Sequence, residues 1–203
     1  MTAIDSVGDV AEFVSPPDDP EVVLQSWLEH ARSAGVPAPT IVALATTDAR
    51  GRSSSRIIRA LEVSTHGILF TSHSVSQKSQ DISTTGWASG VLYWPETNEQ
   101  IIVAGPAFRL SDEESDGLWH ARPSTTHAMS TASMQSAVLH DEDALRRDAE
   151  ALGTEPLPRP ERFLGYRLVP SSIEFWRSGP GGLHRRLRYD RAAHGWTHRR
   201  LQP

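Results

Sequence analysis

The sequence contains no cysteine, so its fold forms without disulfide bonds. A chain of 203 residues is long enough to bury a substantial core without such cross-links, and we expect a single domain. No run of about 18 apolar residues occurs. The segment from Met1 to Pro20 is acidic and lacks the basic and apolar regions of a signal peptide. These absences predict a cytoplasmic protein with no membrane partner.

Motifs of several common enzyme classes are also missing. The glycine-rich stretch at residues 179–182 has neither a GxGxxG pattern nor a Walker lysine, so it predicts a hairpin loop. The nine histidines include no HExxH motif, and no GxSxG elbow is present. We therefore expect no metal site and no nucleophilic hydrolase. The net charge of −5 argues against a nucleic-acid partner.

The hydrophobic pattern predicts a mainly β protein with peripheral helices. Residues 1–17 show no periodicity and predict a flexible arm, followed by a single domain over 18–203. Asp19 and Pro20 are typical of the start of a helix, which we expect to end at Gly35. Alternating apolar residues then predict an antiparallel meander over 41–46, 54–63 and 67–72, a helix over 76–83, and a hairpin over 88–94 and 100–110.

The second half of the chain adds helices and then more strands. A capping-box sequence opens a helix at Ser111 that runs through Trp119. Further helices are predicted over 125–138 and 141–152, and strands over 162–169, 172–177, 183–189 and 196–201. Five or more antiparallel strands in this order favour a small barrel, because closure removes exposed strand edges.

Two polar stretches carry the residue types that bind a phosphorylated cofactor. Arg56 offers a planar fork of donors, and Lys78 offers a point charge. Ser72 and Ser76 add hydroxyl groups close to Lys78 in the sequence. A flavin would also need amide groups at its pyrimidine edge and an apolar wall beside its rings. The candidates for these roles are Gln100, Gln135, Ser136 and Trp176.

Seven short motifs occur in order along the chain: SRII at 55–58, SQK at 76–78, YW at 93–94 with EQIIVAG at 99–105, ARP at 121–123, QS at 135–136, IEFW at 173–176 and LHRR at 183–186. In order and approximate spacing they resemble the pyridoxine-5′-phosphate oxidase family. The resemblance runs from about Asp18 to Pro203. It implies an FMN-binding split β-barrel of antiparallel strands, and a homodimer with FMN in the cleft between the subunits.

Within this family the chain looks most like the flavin-dependent oxidases of bacterial phenazine biosynthesis. The segments that carry this likeness are 76–78, 88–94, 187–191 and 195–203. The likeness implies oxidation of a reduced phenazine carboxylic acid by hydride transfer to FMN, with reoxidation by dioxygen. Two alternatives stay open at this point: a pyridoxine/pyridoxamine-5′-phosphate oxidase, and a non-catalytic flavin- or phenazine-binding protein.

The resemblance assigns one group of residues to the FMN phosphate. Arg56 and Lys78 would bind it, with hydroxyl groups nearby from Thr71, Ser72 and Ser76. Gln77 stands where the vitamin-forming enzymes usually carry arginine, so one phosphate cation is missing. Arg59 is our candidate to replace that cation.

A second group is assigned to the flavin rings. The backbone of Ile57 and Ile58 would run along the flavin, and Gln100 would face the ring system. The residues expected to reach in from the partner chain are Gln135, Ser136, Trp176 and Arg186.

The positions that hold the substrate differ from those of the vitamin-forming enzymes. Leu61, Leu118 and Gly182 stand where those enzymes carry lysine, tyrosine and arginine. Each charged hydrogen bond to a substrate phosphate contributes roughly 1.5–3 kcal/mol, so their loss disfavours a pyridoxine phosphate pocket. Three polar residues remain for an aromatic carboxylate: Arg122, Thr126 and His184. His184 is the candidate catalytic residue, although the flavin itself would carry the redox chemistry.

Overall fold

The computed structural model describes residues 11–203. Over this range the chain forms ten strands: β1 (Ile41–Thr47), β2 (Ser53–Arg59), β3 (Glu62–Ser64), β4 (Gly67–His73), β5 (Trp87–Trp94), β6 (Glu99–Arg109), β7 (Phe163–Leu168), β8 (Ser172–Arg177), β9 (Arg185–Ala192) and β10 (Gly195–Leu201). Six α-helices accompany them: α1 (Ala11–Val14), α2 (Pro20–Ser33), α3 (Gln77–Thr85), α4 (Asp112–His120), α5 (His127–Ala132) and α6 (Glu142–Ala151). None of these helices is long and apolar enough to span a membrane.

All strand pairs are antiparallel, and together they form a curled half-barrel. One path of paired strands runs β10-β9-β8-β6-β5-β1-β2, while β4 pairs with β3 and β7, and β7 pairs with β6. Strand β6 belongs to both halves because its first part pairs with β8 and its last part with β7. Between these parts, a Cβ atom at Gly105 would lie 2.0 Å from the carbonyl oxygen of Val169, so only glycine fits there. The predicted split barrel with peripheral helices is confirmed.

The predicted meander is wrong in its second step. Strand β2 pairs with β1, whereas β4 pairs with β3 and β7 in the other half of the barrel. The predicted strand over 54–63 is interrupted after Arg59, where the backbone of Ala60 bonds to Thr40 and that of Leu61 to Leu69. This break lets the chain cross from one half of the barrel to the other. An alternating sequence pattern cannot reveal it, since both sides of the break remain extended.

Helix α2 covers one end of the barrel. Asp19 caps its first turn through its side chain and Pro20 occupies the first position, as predicted. Its apolar face buries Val23, Leu24, Trp27, Leu28 and Ala31. The core continues into the barrel through Leu44, Phe70, Ile101, Ile173 and Phe175, all of them completely buried.

The prediction of a flexible arm does not hold for residues 11–17; residues 1–10 lie outside the described part of the chain. Phe13 on α1 is buried, and its ring lies 6.1 Å from that of Trp27. The Tyr189 hydroxyl donates a hydrogen bond to the carbonyl of Pro17 at 2.9 Å. These contacts fix the segment against α2 and β9.

The predicted helix over 125–138 is shorter in the structure. A 3₁₀ turn over Ser124–Thr126 leads into α5, which ends before Ser133. Ser136 then takes a positive φ of 69°. The side chain of Arg162 donates hydrogen bonds to the carbonyls of Thr131 and Ser133, which turns the chain out of the helix. A long-range contact of this kind leaves no local sequence signal.

Candidate functional site

Two cations and several hydroxyl groups meet where β4 runs into α3. We call this group of Arg56, Ser72, Ser76, Lys78 and Gln135 the cation–hydroxyl cluster. Lys78 Nζ lies 3.3 Å from Ser76 Oγ and 3.1 Å from Gln135 Oε1. Ser72 Oγ lies 2.8 Å from Ser76 Oγ and donates to Gln135 Oε1 at 3.2 Å. The structure therefore brings together the main residues assigned to the FMN phosphate.

Arg56 is held by groups on β1 and on its own strand, β2, rather than by a direct ion pair. Its Nη1 donates to Thr46 Oγ1 at 2.7 Å, and its Nη2 donates to Ser54 Oγ at 2.7 Å. Nη1 also lies 3.1 Å from the Ser54 carbonyl. Burial lowers the pKa of Arg56, and the nearby charge of Asp81 opposes that shift.

The cluster concentrates positive charge. Burial, followed by repulsion from Arg56, lowers the pKa of Lys78 from 10.5 to about 8. Burial also lowers the pKa of His73 to about 4, assisted by the charges of Arg162, Lys78 and Arg122. His73 is therefore neutral near pH 7. In the part of the chain that the structure describes, neither Arg56 nor Lys78 forms a salt bridge with a carboxylate, so the cluster suits an anionic ligand.

The N-terminus of α3 adds backbone donors to the cluster. Ser76 is the N-cap residue, but its hydroxyl bonds to other side chains instead of capping the helix. The first backbone N–H groups of a helix carry partial positive charge and favour anions. The N–H of Gln77 donates to Ser136 Oγ at 3.4 Å. At this position the structure thus offers a backbone dipole, not the side-chain cation of the vitamin-forming enzymes.

Gln135 and Ser136 reach the cluster from the same chain, so their assignment to the partner chain is wrong. The N–H of Gln135 donates to Nδ1 of His73 at 3.4 Å. The Arg162 side chain donates to the carbonyls of Thr131 and Ser133, just before Gln135. The Arg162 carbonyl accepts from the N–H of Ser74 at 2.7 Å. His73 and Arg162 together keep the turn at 133–136 against the end of β4.

Two other assigned residues do not join the cluster. Arg59 follows Arg56 by three residues on β2 and so points to the opposite face of the sheet, which rules it out as a replacement for the cation missing at Gln77. Thr71 precedes Ser72 on β4 and likewise points away from the cluster.

Ile57 and Ile58 occupy an edge strand. In the described chain β2 pairs on one side only, with β1, so alternate backbone groups on its other side are open to a ligand. Ile57 is 66% exposed and Ile58 is in the core. This geometry agrees with a ligand that runs along the backbone.

A second group of assigned residues lies on the other face of the sheet. Gln100, Trp176 and Arg186 are direct neighbours across β6, β8 and β9, and we call them the cross-strand row. Arg186 forms a salt bridge with Glu174 at 2.7 Å. The ring of His184 lies 4.9 Å from that of Trp176, and its Nδ1 accepts from the N–H of Gly179 at 3.4 Å.

One chain does not bring the cross-strand row to the cation–hydroxyl cluster. Arg56 shares its face of the sheet with Leu44 and Val103, whereas Gln100 is three residues from Val103 and faces the other way. Along the sheet, β8 lies four strands from β2, which corresponds to about 19 Å. A single flavin contacting both groups therefore requires two chains.

Two of the substrate candidates, Arg122 and Thr126, lie around α4 and α5. Arg122 Nη2 donates to Ser130 Oγ at 2.9 Å, and its guanidinium lies over the rings of Trp119 and Phe163. Burial lowers its pKa, and no carboxylate within residues 11–203 pairs with it. Thr126 Oγ1 donates to the carbonyl of Pro123 at 2.8 Å. Arg122 is thus oriented by stacking and available to an anion.

The three altered substrate positions have distinct surroundings. Leu118 packs closely on Gly165: a Cβ atom added to Gly165 would lie 2.6 Å from Cδ1 of Leu118. Leu61 is 53% exposed. Gly182 has a φ of +77°, a conformation that arginine rarely adopts. The loop at 179–182 contains a single 3₁₀ turn, so the predicted loop is confirmed.

Sequence reasoning missed the residues that support the cluster: Thr46, Ser54, His73, Asp81 and Arg162. Thr46 and Asp81 are almost completely buried. In the sequence, such residues can be found as polar side chains at positions where the strand or helix pattern calls for an apolar one. Buried polar side chains are nearly always hydrogen-bonded, so these positions indicate a polar network. Across the described residues, no group of three or more metal-ligating side chains could hold a metal ion.

Two family models match most of the chain. Residues 28–154 match the model described as pyridoxamine 5′-phosphate oxidase. Residues 163–203 match the pyridoxine 5′-phosphate oxidase C-terminal dimerisation region. The chain belongs to the pyridoxine 5′-phosphate oxidase family. The resemblance seen in the seven motifs is confirmed.

The chain is similar to two kinds of enzyme within the family. The chain is 49% identical to dihydrophenazinedicarboxylate synthase of Pseudomonas chlororaphis, covering 95% of this chain and 87% of that one. It is 39% identical to pyridoxine/pyridoxamine 5′-phosphate oxidase of Paraburkholderia phymatum, covering 87% and 85%. The crystal structure of PhzG from Burkholderia lata 383 in complex with tetrahydrophenazine-1-carboxylic acid matches with a TM-score of 0.92 and 46% identity, over 97% of this chain and 98% of that one.

Proposed function

We propose that this protein is an FMN-dependent oxidase of phenazine biosynthesis, which aromatises reduced phenazine carboxylic acids. One observation carries the proposal: Arg56 and Lys78, the cations assigned to the cofactor phosphate, lie together with their hydroxyl groups, while Leu61, Leu118 and Gly182 replace the residues assigned to a substrate phosphate. The similarity to dihydrophenazinedicarboxylate synthases and to PhzG supports the same substrate class.

The cation–hydroxyl cluster fits the FMN phosphate. Its two cations have no carboxylate partner within the described chain, and the N-terminus of α3 adds backbone donors. Two guanidinium or ammonium contacts plus a hydroxyl are a typical set for a phosphate dianion. The chemistry that FMN supplies when bound is acceptance of a hydride, with reoxidation by dioxygen.

A homodimer would complete the site. The C-terminal match is to the family's dimerisation region, and the sheet face that carries the cross-strand row exposes apolar side chains. Ile57, Trp87 and Tyr93 on this face are 66%, 50% and 53% exposed. Pairing through this face would bury them, and Trp176 and Arg186 of each partner would then meet the cluster of the other at the open edge of the sheet, beside β2.

For the substrate, the protein then needs to supply only orientation and charge complementarity. Arg122 would bind a ring carboxylate, and the stacked rings beneath it hold the guanidinium in place. Leu61 and Leu118 would offer apolar contacts to a flat polycyclic substrate. His184, fixed beside Trp176, would contact the substrate from the partner chain. Because the product is aromatic, the protein need not supply a strong general base.

The test is anaerobic flavin reduction followed by oxygen uptake with the purified, FMN-loaded protein. Reduced phenazine carboxylic acids should reduce the flavin much faster than they reduce free FMN, and oxygen should reoxidise it. A yellow protein that oxidises these precursors no faster than free FMN would overturn the proposal.

The two alternatives predict different results in the same assay. Pyridoxine 5′-phosphate oxidation, favoured by the relatives at 39% identity, predicts turnover of that substrate at low micromolar concentration. A non-catalytic binder predicts slow flavin reduction by every substrate. The cytoplasmic location and the use of dioxygen stay predictions.

A further inference from the structure

Asp81 is a buried carboxylate behind the cation–hydroxyl cluster. It lies on α3 and is only 6% exposed. Its Oδ2 accepts a hydrogen bond from Thr46 Oγ1 at 2.6 Å and lies 3.4 Å from Ser54 Oγ. These are the same two hydroxyls that accept from Nη1 and Nη2 of Arg56. A buried charge without such partners would be strongly destabilising, so the arrangement is specific.

The direction of each hydrogen bond follows from the chemistry of the groups. An ionised carboxylate can only accept, so both hydroxyl protons point to Asp81. The oxygen lone pairs of Thr46 and Ser54 are then left to face the guanidinium, which can only donate. The carboxylate therefore orients Arg56 through two hydroxyls, without touching it.

This orientation also decides which donors of Arg56 stay available. Nη1 is engaged by Thr46 and by backbone carbonyls, and one hydrogen of Nη2 is engaged by Ser54. Within the described residues, the Nε hydrogen and the second Nη2 hydrogen have no acceptor. These two lie on one edge of the guanidinium and form the parallel fork that binds a phosphate through two oxygens.

We propose that Asp81 is a positioning residue for cofactor phosphate: through Thr46 and Ser54 it locks Arg56 so that its Nε–Nη2 edge faces the phosphate. This inference rests on the proposed function, since it takes the ligand of the cluster to be the phosphate of FMN.

The experiment compares FMN with riboflavin, which has the same rings and ribityl chain but no phosphate. The apoprotein is titrated with each flavin, and the ratio of the two dissociation constants isolates the phosphate contribution. Asp81→Asn replaces the acceptor-only group by one that can donate to the hydroxyls. It should weaken FMN binding about tenfold or more and leave riboflavin binding nearly unchanged.

A double-mutant cycle locates the effect. In an Arg56→Ala background, Asp81→Asn should cause no further loss of FMN affinity, because the residue that it positions is gone. The matched control is Glu99→Gln, which alters another fully buried carboxylate that pairs with Arg177 and His30. It should leave the FMN-to-riboflavin ratio unchanged.

The possible results distinguish a failure of the cofactor-phosphate assignment from a failure of the positioning role of Asp81. If the wild-type protein binds FMN and riboflavin equally, the cofactor-phosphate assignment is wrong. If it prefers FMN and Asp81→Asn keeps that preference, or weakens both flavins equally, the positioning role is wrong while the proposed function stands. If Asp81→Asn does not fold, Thr46→Val and Ser54→Ala each remove one of the two hydroxyls that link Asp81 to Arg56. Each should raise the ratio of the FMN dissociation constant to the riboflavin dissociation constant, and an unchanged ratio in both would overturn the inference.

Discussion

Burial beside other positive charges shifts the pKa of individual side chains in this protein. Lys78 is the only lysine in the chain. Its Nζ has two neutral oxygen partners and lies near Arg56, which together with burial lowers its pKa to about 8. A dianionic phosphate would reverse that shift, because an opposite charge favours the ammonium form.

FMN affinity should therefore fall as pH rises above about 8, where free Lys78 loses its proton and binding must take one up. Below about pH 6 the phosphate itself becomes a monoanion and binds less tightly. Reductive methylation with ¹³C-formaldehyde labels this single lysine side chain, so NMR reports its pKa directly. A pKa near 10.5 without FMN, or no rise when FMN binds, would contradict this prediction.

Acid should destabilise the protein through His73. Its pKa is lowered to about 4 in the folded chain, below the ordinary value of 6.5. The unfolded chain thus binds more protons between these values, and the free energy of unfolding should fall as pH drops from 6.5 to about 4. Urea unfolding across this range measures the slope. His73→Asn should flatten it, whereas His66→Asn, at an exposed site, should not.

Arg122 should affect the substrate and not the cofactor. Arg122→Gln removes a charged hydrogen bond worth roughly 1.5–3 kcal/mol, so KM for a phenazine carboxylate should rise about ten- to a hundredfold. FMN affinity should stay within about twofold. Arg146→Gln is the control, since Arg146 forms exposed ion pairs with Glu142 and Asp143. Equal loss of FMN binding and of substrate binding would count against the assignment.

At the scale of elements, the turn after α5 depends on the loop before β7. Arg162 donates to the carbonyls of Thr131 and Ser133, and His73 accepts from the N–H of Gln135. These contacts carry the turn at 133–136 to the cluster. No feature of residues 125–138 predicts this, which is why a single long helix was expected there.

Arg162→Ala should release this turn while leaving the barrel intact. Hydrogen exchange should speed up over residues 131–137, and FMN affinity should fall by about tenfold, because Gln135 and Ser136 are no longer held at the cluster. Arg147→Ala on α6 serves as the control. Unchanged exchange over 131–137 would show that the turn is held by other contacts.

At the scale of the whole molecule, the separation of the two residue groups predicts a shared site. The cluster around Arg56 and the cross-strand row around Trp176 lie on opposite faces of the sheet. In a symmetric dimer, each site would take one group from each chain.

Mixed dimers test this arrangement. Arg56→Ala and Trp176→Ala should each be nearly inactive alone. Unfolding and refolding the two variants together should restore about a quarter of wild-type activity, because half of the dimers are mixed and each has one intact site. Mixing without exchange of subunits is the control. Failure to restore activity in verified mixed dimers would place both groups in one chain.

The sequence by itself determined most of the strands and helices and the family, and it predicted the residues that we propose for the cofactor. Local patterns suffice for these, since the alternation of apolar and polar residues, helix-capping residues and ordered motifs all lie within short segments. Only the tertiary structure decided that Gln135 and Ser136 lie beside Lys78 of the same chain, that Arg59 faces away from Arg56, and that Asp81 lies behind Arg56. These facts depend on contacts between residues tens of positions apart, such as the 2.6 Å bond from Thr46 to Asp81, and no local pattern records them.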